Sequence, residues 1–298
     1  MNLDWNDMRI FLAVARTESL SGAGRLLQVD PATVGRRIAR LEQTLGTPLF
    51  AKSPQGYALT DAGQRLQTHA ERAEQAMQGA QDALTGTTAT LSGQIRIGAP
   101  DGVANFLLPQ VCARIGAENP ALDIQIVALA RVFNLSRREA DMAVTVSPPT
   151  AGRLSVQKIT DYRLHLAAAE SYLAQSTAIT TRADLKAHRI IGYIPDMIFD
   201  KELDYLSELG APRVPLSSNS VAVQLNAIRQ GAGVGIVHDF SLAAAPGVTR
   251  ILTDQISLTR SFYLVRHADD RRLDRLNRFA TALIAGLRQE VARLEGLA

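Results

Sequence analysis

Between residues 31 and 41 the chain carries Arg36, Arg37 and Arg40 and no acidic side chain. Val34, Ile38 and Leu41 recur there at the spacing of one helical face, so a helix turns its apolar stripe inward and its guanidinium groups outward. A helix of this width fits the major groove of duplex DNA, where an arginine can give two hydrogen bonds to guanine and its charge can also meet phosphate. Thr33 lies in the first turn, the part of such a helix that reaches base edges. Taken alone, three arginines on a helix also make an ordinary solvated face. Gly35, inside the same helix, costs about 1 kcal/mol relative to alanine. That suits either a close approach to DNA or a glycine tolerated in a well-packed helix.

The elements that must position these residues shift the balance. Met8, Phe11, Leu12 and Ala15 fall on one face of a first helix. A second, short helix begins after Ser21, whose hydroxyl can cap it, carries Ala23, Leu26 and Leu27 inward and ends near Val29. Asp30 is a good cap for the third helix, Pro31 suits its first position, Leu45 completes its stripe and Gly46 stops it. Leu49 and Phe50 then predict a short strand, 53–56 a turn and 57–59 the returning strand, so the helix-turn-helix is followed by a wing carrying Lys52. Two short helices, a tight joint, a basic second helix and a wing together favour double-stranded DNA as a partner. The candidate contacts are Ser21, Pro31, Ala32, Thr33, Gly35, Arg36, Arg37, Arg40 and Lys52. Ser21 and Thr60, each with the amides of a helix start, could hold phosphates, although capping accounts for both equally well.

From Thr60 a longer helix places Leu66, Ala70, Ala73, Met77, Ala80 and Leu84 at alternating steps of four and three, the period of a coiled-coil seam. Such a seam calls for a second copy of the chain, and Leu66, Ala70, Ala73, Met77 and Leu84 are the candidate dimerisation residues. The helix runs out in a linker composition at 85–88. Beyond Gln94 short apolar runs at 95–98, 124–129, 142–146, 164–168, 190–193, 234–237 and 261–265 alternate with helical stretches, which predicts an α/β domain with mainly parallel sheet. The domains are expected at 1–62, 63–90 and 91–298, the last as two subdomains (91–161 with 266–298, and 162–265) joined by crossings near 160–163 and 265–267.

Composition excludes several classes. The 298 residues, 46% hydrophobic and 20% charged, suit about two folded domains rather than a disordered chain. A net charge of +3 is too small for bulk binding to nucleic acid or to a membrane. One cysteine, Cys112, excludes a disulfide scaffold and fits a small core residue in a reducing compartment. Residues 1–20 hold charges at Asp4, Asp7, Arg9, Arg16 and Glu18, so neither a signal peptide nor a membrane span begins the chain, and a cytoplasmic location is expected. Enzyme signatures are missing. Gly231, Gly233 and Gly235 follow a helix and precede a strand, the reverse of a nucleotide-binding turn, and the five histidines are scattered, so no catalysis, cofactor or metal is expected. The alternative of a solute-binding protein, which the last two-thirds alone would suggest, conflicts with the helix-turn-helix.

These residues resemble the LysR-type transcriptional regulators. The match is carried by Phe-Leu-Ala-Val-Ala at 11–15, Ser-Leu-Ser-Gly-Ala-Gly-Arg-Leu-Leu at 19–27, Ala-Thr-Val-Gly-Arg-Arg-Ile-Ala-Arg-Leu-Glu at 32–42, Leu-Gly-Thr-Pro-Leu-Phe at 45–50 and Leu-Thr-Asp-Ala-Gly at 59–63. It continues more loosely at 93–98, 107–109, 140–144 and 231–236. The resemblance implies a winged helix-turn-helix that binds an imperfect palindrome, a linker helix that pairs two chains, and a two-subdomain, periplasmic-binding-protein-like effector domain. It further implies a homodimer or homotetramer, with RNA polymerase as a candidate further partner. It places Thr33, Arg36 and Arg37 where family members meet bases or backbone, with Lys52 in the wing. The chain departs from the family at Gly35, where serine is usual, at Ala32, where proline is usual, at Gly24 for alanine, and at Pro54 and Gln55 in the wing.

A small-molecule effector between two α/β subdomains would meet loops at the carboxyl ends of strands and helix N-termini. The candidates are Pro100, Asp101 and Gly102; Thr145 and Ser147; Pro195 and Asp196; Ser218, Asn219 and Ser220; and His238. Capping explains the serine segment as well as ligand binding does. Asp101 stands where the family often has a small hydroxyl residue for a carboxylate effector, which implies that the effector is not a simple acid or that Asp101 caps the helix after it. His238 is read as a ligand contact that could titrate near neutrality, or as a structural histidine. Arg266, Arg271, Arg272, Arg275 and Arg278 alternate with Leu273, Leu276 and Phe279 on an amphipathic helix.

Overall fold

The computed structural model describes residues 3–53, 56–85, 90–128, 140–149, 152–205, 213–268, 270 and 273–297. The chain divides into two compact units, Met1–Thr88 and Ala89–Ala298.

In the first unit, helix α1 (Trp5–Thr17) is capped by Asp4, whose carboxylate accepts from the Asn6 amide. Helix α2 (Leu20–Leu27) is capped by Ser19 rather than Ser21, because Ser19 is the extended residue whose hydroxyl accepts from the Gly22 amide. The helix therefore starts two residues earlier than expected, and Leu26 turns out to solvent instead of inward. Helix α3 (Pro31–Leu45) has Asp30 as cap, Pro31 in the first turn and Gly46 in the left-handed conformation as its stop. Strands β1 (Phe50–Ser53) and β2 (Gly56–Leu59) pair antiparallel as the wing. Helix α4 (Asp61–Thr85) follows, its start held by the Thr60 hydroxyl, which accepts from the Gly63 amide. Phe11, Leu12, Val14, Val34, Ile38, Leu41, Leu49 and Phe50 form the core of this unit.

In the second unit, β3 (Gly93–Ala99) leads into α5 (Asp101–Phe106) and α6 (Leu108–Glu118), then β4 (Leu122–Ala128), β5 (Met142–Thr145) and the long β6 (Leu154–Ala169). After α7 (Glu170–Leu173) come β7 (Ile190–Gly192), β8 (Leu216–Ser217), α8 (Val221–Arg229), β9 (Val234–His238), β10 (Val248–Arg250), β11 (Ser257–His267) and α9 (Asp274–Glu295). The strands join in the order β4-β3-β5-β11-β6-β9-β7-β8, with β10 also on β6.

This sheet is mixed rather than mainly parallel. β3 pairs parallel with β4 and β5, and β7 with β8 and β9, but β11 and β6 run antiparallel to each other and to their outer neighbours. The two long strands carry the chain from one half of the sheet to the other, which forces the reversed direction. Their register breaks between Phe262 and Tyr263, where Ile159 is the extra residue, and the Arg288 guanidinium of α9 donates to the Ile159 carbonyl at 2.6 Å. On one side of the break lie β4, β3 and β5; on the other lie β9, β7, β8 and β10. α9 buries Leu276, Phe279, Leu283 and Leu287 against the main core and leaves Leu273 exposed. Arg271, Arg272 and Leu129 lie outside the described residues.

Candidate functional site

The exposed N-terminal turn of α3 presents Pro31, Ala32 and Arg36, with Thr33 half-buried beside them. The Arg36 guanidinium donates to the Thr33 hydroxyl at 3.1 Å, one turn back on the same face. Arg37 and Arg40 are held differently. Both point back to α1, where Asp7 is only 5% exposed: Arg37 reaches one carboxylate oxygen at 3.1 Å and Arg40 the other at 2.6 Å, and Arg40 also lies 3.7 Å from Asp4. This pairing holds the Arg40 guanidinium above its ordinary pKa, the Asp7 hydrogen bond being the larger cause. Two arginines of the basic face thus neutralise a buried acid while their side chains remain 37% and 58% exposed. Gly35 faces neither solvent nor a groove alone, since a β-carbon there would meet Leu20 of α2 at 3.3 Å; the missing side chain lets α2 and α3 approach.

The wing is fixed to this frame at its base. The Glu42 carboxylate of α3 accepts from the Leu49 and Phe50 amides at 2.7 and 3.1 Å, and the Tyr57 amide donates to the Glu18 carbonyl at 2.9 Å. Gly56 approaches that carbonyl so closely, at φ 136°, that a β-carbon would stand 2.5 Å from it. The Lys52 side chain lies outside the described residues. Ser21 is exposed and, with Pro31, lines an open hollow of about 430 Å³ beside Gly24, Arg25, Gln28 and Val29.

The seam on α4 splits in two. Ala70 is buried and Leu66 half-buried against the core of their own unit, so these two are already packed within the chain. Ala73, Met77 and Ala80 are exposed, Met77 by 52%, and the Leu84 side chain lies outside the described residues.

In the second unit the candidate loops stand at the ends of β3, β5, β7, β8 and β9, and most of them meet. Asp101 does not cap the helix after it, where Pro100 makes no side-chain bond. Its carboxylate instead crosses to α8, accepting from the Ser220 hydroxyl and the Ala222 amide, each at 3.0 Å. Ser220 is itself the cap of α8, and its amide donates to the Ser218 hydroxyl at 3.1 Å. The Thr145 hydroxyl donates to the Ser147 carbonyl at 2.7 Å, and the Ser147 hydroxyl donates to the Asp200 carboxylate. Gly102 packs against His238 and Val221, with 3.6 Å between the His238 ring and the place of a β-carbon. Asn219 is half-buried beside them, whereas Pro195 and Asp196 are exposed on a short turn.

His238 is 4% exposed and stacks on Tyr162 at 5.5 Å, with Phe240 at 4.9 Å and Tyr205 at 6.2 Å. Burial lowers its pKa to about 3, so it stays neutral through the physiological range and does not titrate near neutrality. Among the described residues its Nδ1 is buried without a hydrogen-bond partner, whereas the Tyr162 and Tyr205 hydroxyls interact with each other. Tyr162, Tyr193 and Tyr205 belong to this cluster, and Asp200 to the Ser147 contact, without any motif to mark them; only Tyr193, directly after β7, stands where strand-end logic could have found it. Cys112 is buried on α6, and burial pushes its thiol up to about 11, which keeps it in the unreactive form.

Residues 5–64 match the model of bacterial regulatory helix-turn-helix proteins of the LysR family, and residues 88–288 match the LysR substrate binding domain. The chain belongs to the LysR family of transcriptional regulators. Among its relatives, the probable HTH-type transcriptional regulator LtrA of Klebsiella pneumoniae is 24% identical over 242 residues, covering 80% of this chain and 78% of LtrA. The transcriptional activator IlvY of Salmonella typhimurium is 30% identical over 151 residues, 50% of this chain and 51% of IlvY. In fold the chain is similar to CrgA of Neisseria meningitidis, with TM-score 0.59 at 22% identity and 96% and 99% of the two chains covered. It is also similar to a full-length OxyR variant of Pseudomonas aeruginosa, with TM-score 0.67 at 16% identity and 97% and 95% covered. This LysR-type regulator is therefore a DNA-binding transcription factor with an effector-binding domain, in a family that is not enzymatic and whose members act as oligomers. Among the described residues no helix is long and apolar enough to cross a membrane.

Proposed function

We propose that this LysR-type regulator acts in the cytoplasm as a homodimer or homotetramer, reading a promoter palindrome with Thr33, Arg36, Arg37 and Arg40 of α3 and with Lys52 of the wing. The supporting observation is the exposed N-terminal turn of α3, where Arg36 bonds the Thr33 hydroxyl of its own helix, not an acid of another element, and stays exposed. Pro31, Ala32 and Ser21 flank that turn on the surface. The exposed Met77 and Ala73 of α4 pair two chains. A small effector bound among the strand-end loops of Asp101, Ser147, Ser220 and His238 shifts the angle between the two halves of the sheet and so the spacing of the heads. Its effect is limited to its affinity difference between the two arrangements. RNA polymerase is a further partner at the promoter.

The test is a gel shift on the chain's own upstream DNA at two salt concentrations. Specific binding that weakens as salt rises is expected, and a chain that stays monomeric and ignores this DNA at low salt overturns the reading. The effector is an uncharged or amine-bearing molecule rather than a plain acid, because Asp101 already brings a carboxylate to the α8 N-terminus. Calorimetry with neutral, amine and acid metabolites checks this, and tight binding of a simple dicarboxylate refutes it.

A further inference from the structure

Two carboxylates cross between the halves of the second unit in opposite directions. Asp101, after β3, leaves its half to accept from Ser220 and Ala222 of α8, each at 3.0 Å. Asp200, which follows β7 in the other half, accepts from the Ser147 hydroxyl after β5. Asp101 is held on its own side as well, where Asn105 Nδ2 donates to the second carboxylate oxygen at 3.0 Å. Each acid therefore takes a hydroxyl from the opposite half.

A chain of packed rings runs from the first crossing toward the segment that carries the second. Gly102, beside Asp101, packs on His238; His238 stacks on Tyr162 and lies near Tyr205, a short step in sequence from Asp200. Among the described residues in this chain of rings His238 Nδ1 is buried without a hydrogen-bond partner, while the Tyr162 and Tyr205 hydroxyls interact with each other. A buried polar atom left unpaired opposes close contact, so the His238 nitrogen weakens this layer, and the acid-hydroxyl crossings add to what the shared apolar core supplies. The β6 and β11 strands that run between the halves break register at Phe262 and Tyr263, which gives the halves a place to turn.

We propose that Asp101 and Asp200 form a reciprocal latch, in which the two contacts make and break together as the halves close and part, and that an effector opens it by giving His238 Nδ1 the partner it lacks. The proposal rests on the effector reading of this cleft and names how the cleft is regulated. A pair of independent helix and loop caps would have the same distances but no coupling.

Hydrogen exchange measured by mass spectrometry on the full chain separates the two. Asp200→Asn and Ser147→Ala touch nothing on α8, yet each is expected to speed exchange of the Ala222 amide at least threefold. Asp101→Ala is expected to speed exchange around Ser147 likewise, and Asp101→Ala combined with Ser147→Ala is expected to add little to the larger single effect. Exchange in α9 is the control for global loosening. Ser147→Ala, which deletes one hydroxyl, serves where a carboxylate variant fails to fold. If Asp200→Asn and Ser147→Ala leave the Ala222 amide unchanged, the latch is refuted. Operator binding plays no part in this readout, so a failed gel shift counts against the proposed function and leaves the latch result standing.

Discussion

Arg36 and Arg37 are neighbours on α3 with different duties. Arg36 bonds Thr33 of its own helix and, among the described residues, braces no other element, so Arg36→Ala is expected to weaken operator binding by about 1 to 3 kcal/mol and to lower the salt slope by about one, with the melting temperature unchanged. Arg37 shares the buried Asp7 with Arg40, so Arg37→Ala is expected to lower thermal stability as well, by about 1 kcal/mol once its partial exposure is allowed for. Melting curves beside gel shifts separate the pair, and an Arg37→Ala chain as stable as the parent would show that Arg40 alone suffices. His238 makes a pH prediction. Its folded pKa, near 3, lies below the unfolded value of about 6.5, so the unfolded chain binds the extra proton. The stability it contributes is complete above pH 6.5 and is lost as pH falls toward 3, by up to about 1.4 kcal/mol per pH unit. Urea unfolding between pH 7 and 4 should show this slope in the parent and a shallower one in His238→Phe; identical slopes would rule out a buried neutral ring.

Elements are legible from sequence where their signals are local. Asp30, Pro31 and Gly46 mark both ends of α3 within a few residues of it, and the wing turn sits between two apolar pairs. The first ten residues of β6 escape because Gln157, Lys158, Asp161 and Arg163 face solvent, leaving no apolar run until Leu164. The Asp7 pairing with α3 escapes because 30 and 33 positions separate the partners, and the Asp101 crossing because 119 do. The same distinction explains α4: a seam of period 3.5 says that a face is buried, not against what, and Leu66 and Ala70 bury theirs at home. Under the proposed pairing of chains the seam falls on the distal, exposed part, and Met77→Glu is expected to shift the mass measured by light scattering toward one chain. Glu42 ties α3 to the wing through two amides, so Glu42→Ala should cost about 1.5 to 3 kcal/mol in urea unfolding. A change under about 0.5 kcal/mol would mean that solvent replaces the carboxylate at those amides.

At the scale of the molecule, each of the two units carries a core of its own. The cluster around Phe11, Val34 and Leu41 draws only on residues of the first unit, and the clusters around Tyr162, Leu164 and Phe279 only on residues of the second. The second unit is also closed through its ends, since α9 returns to donate from Arg275 to the carbonyls of Ser92 and Gln94 at the start of β3. A unit of about 200 residues with its own core and paired termini has what independent folding requires. Residues 89–298 expressed alone are therefore expected to unfold in one cooperative transition at the temperature where that unit melts in the full chain, and to show no specific binding to the promoter DNA. Calorimetry on both proteins decides it. A fragment that aggregates or melts without cooperativity would mean that the α4 segment completes the effector unit, and the regulator would then be one folding unit with two functions.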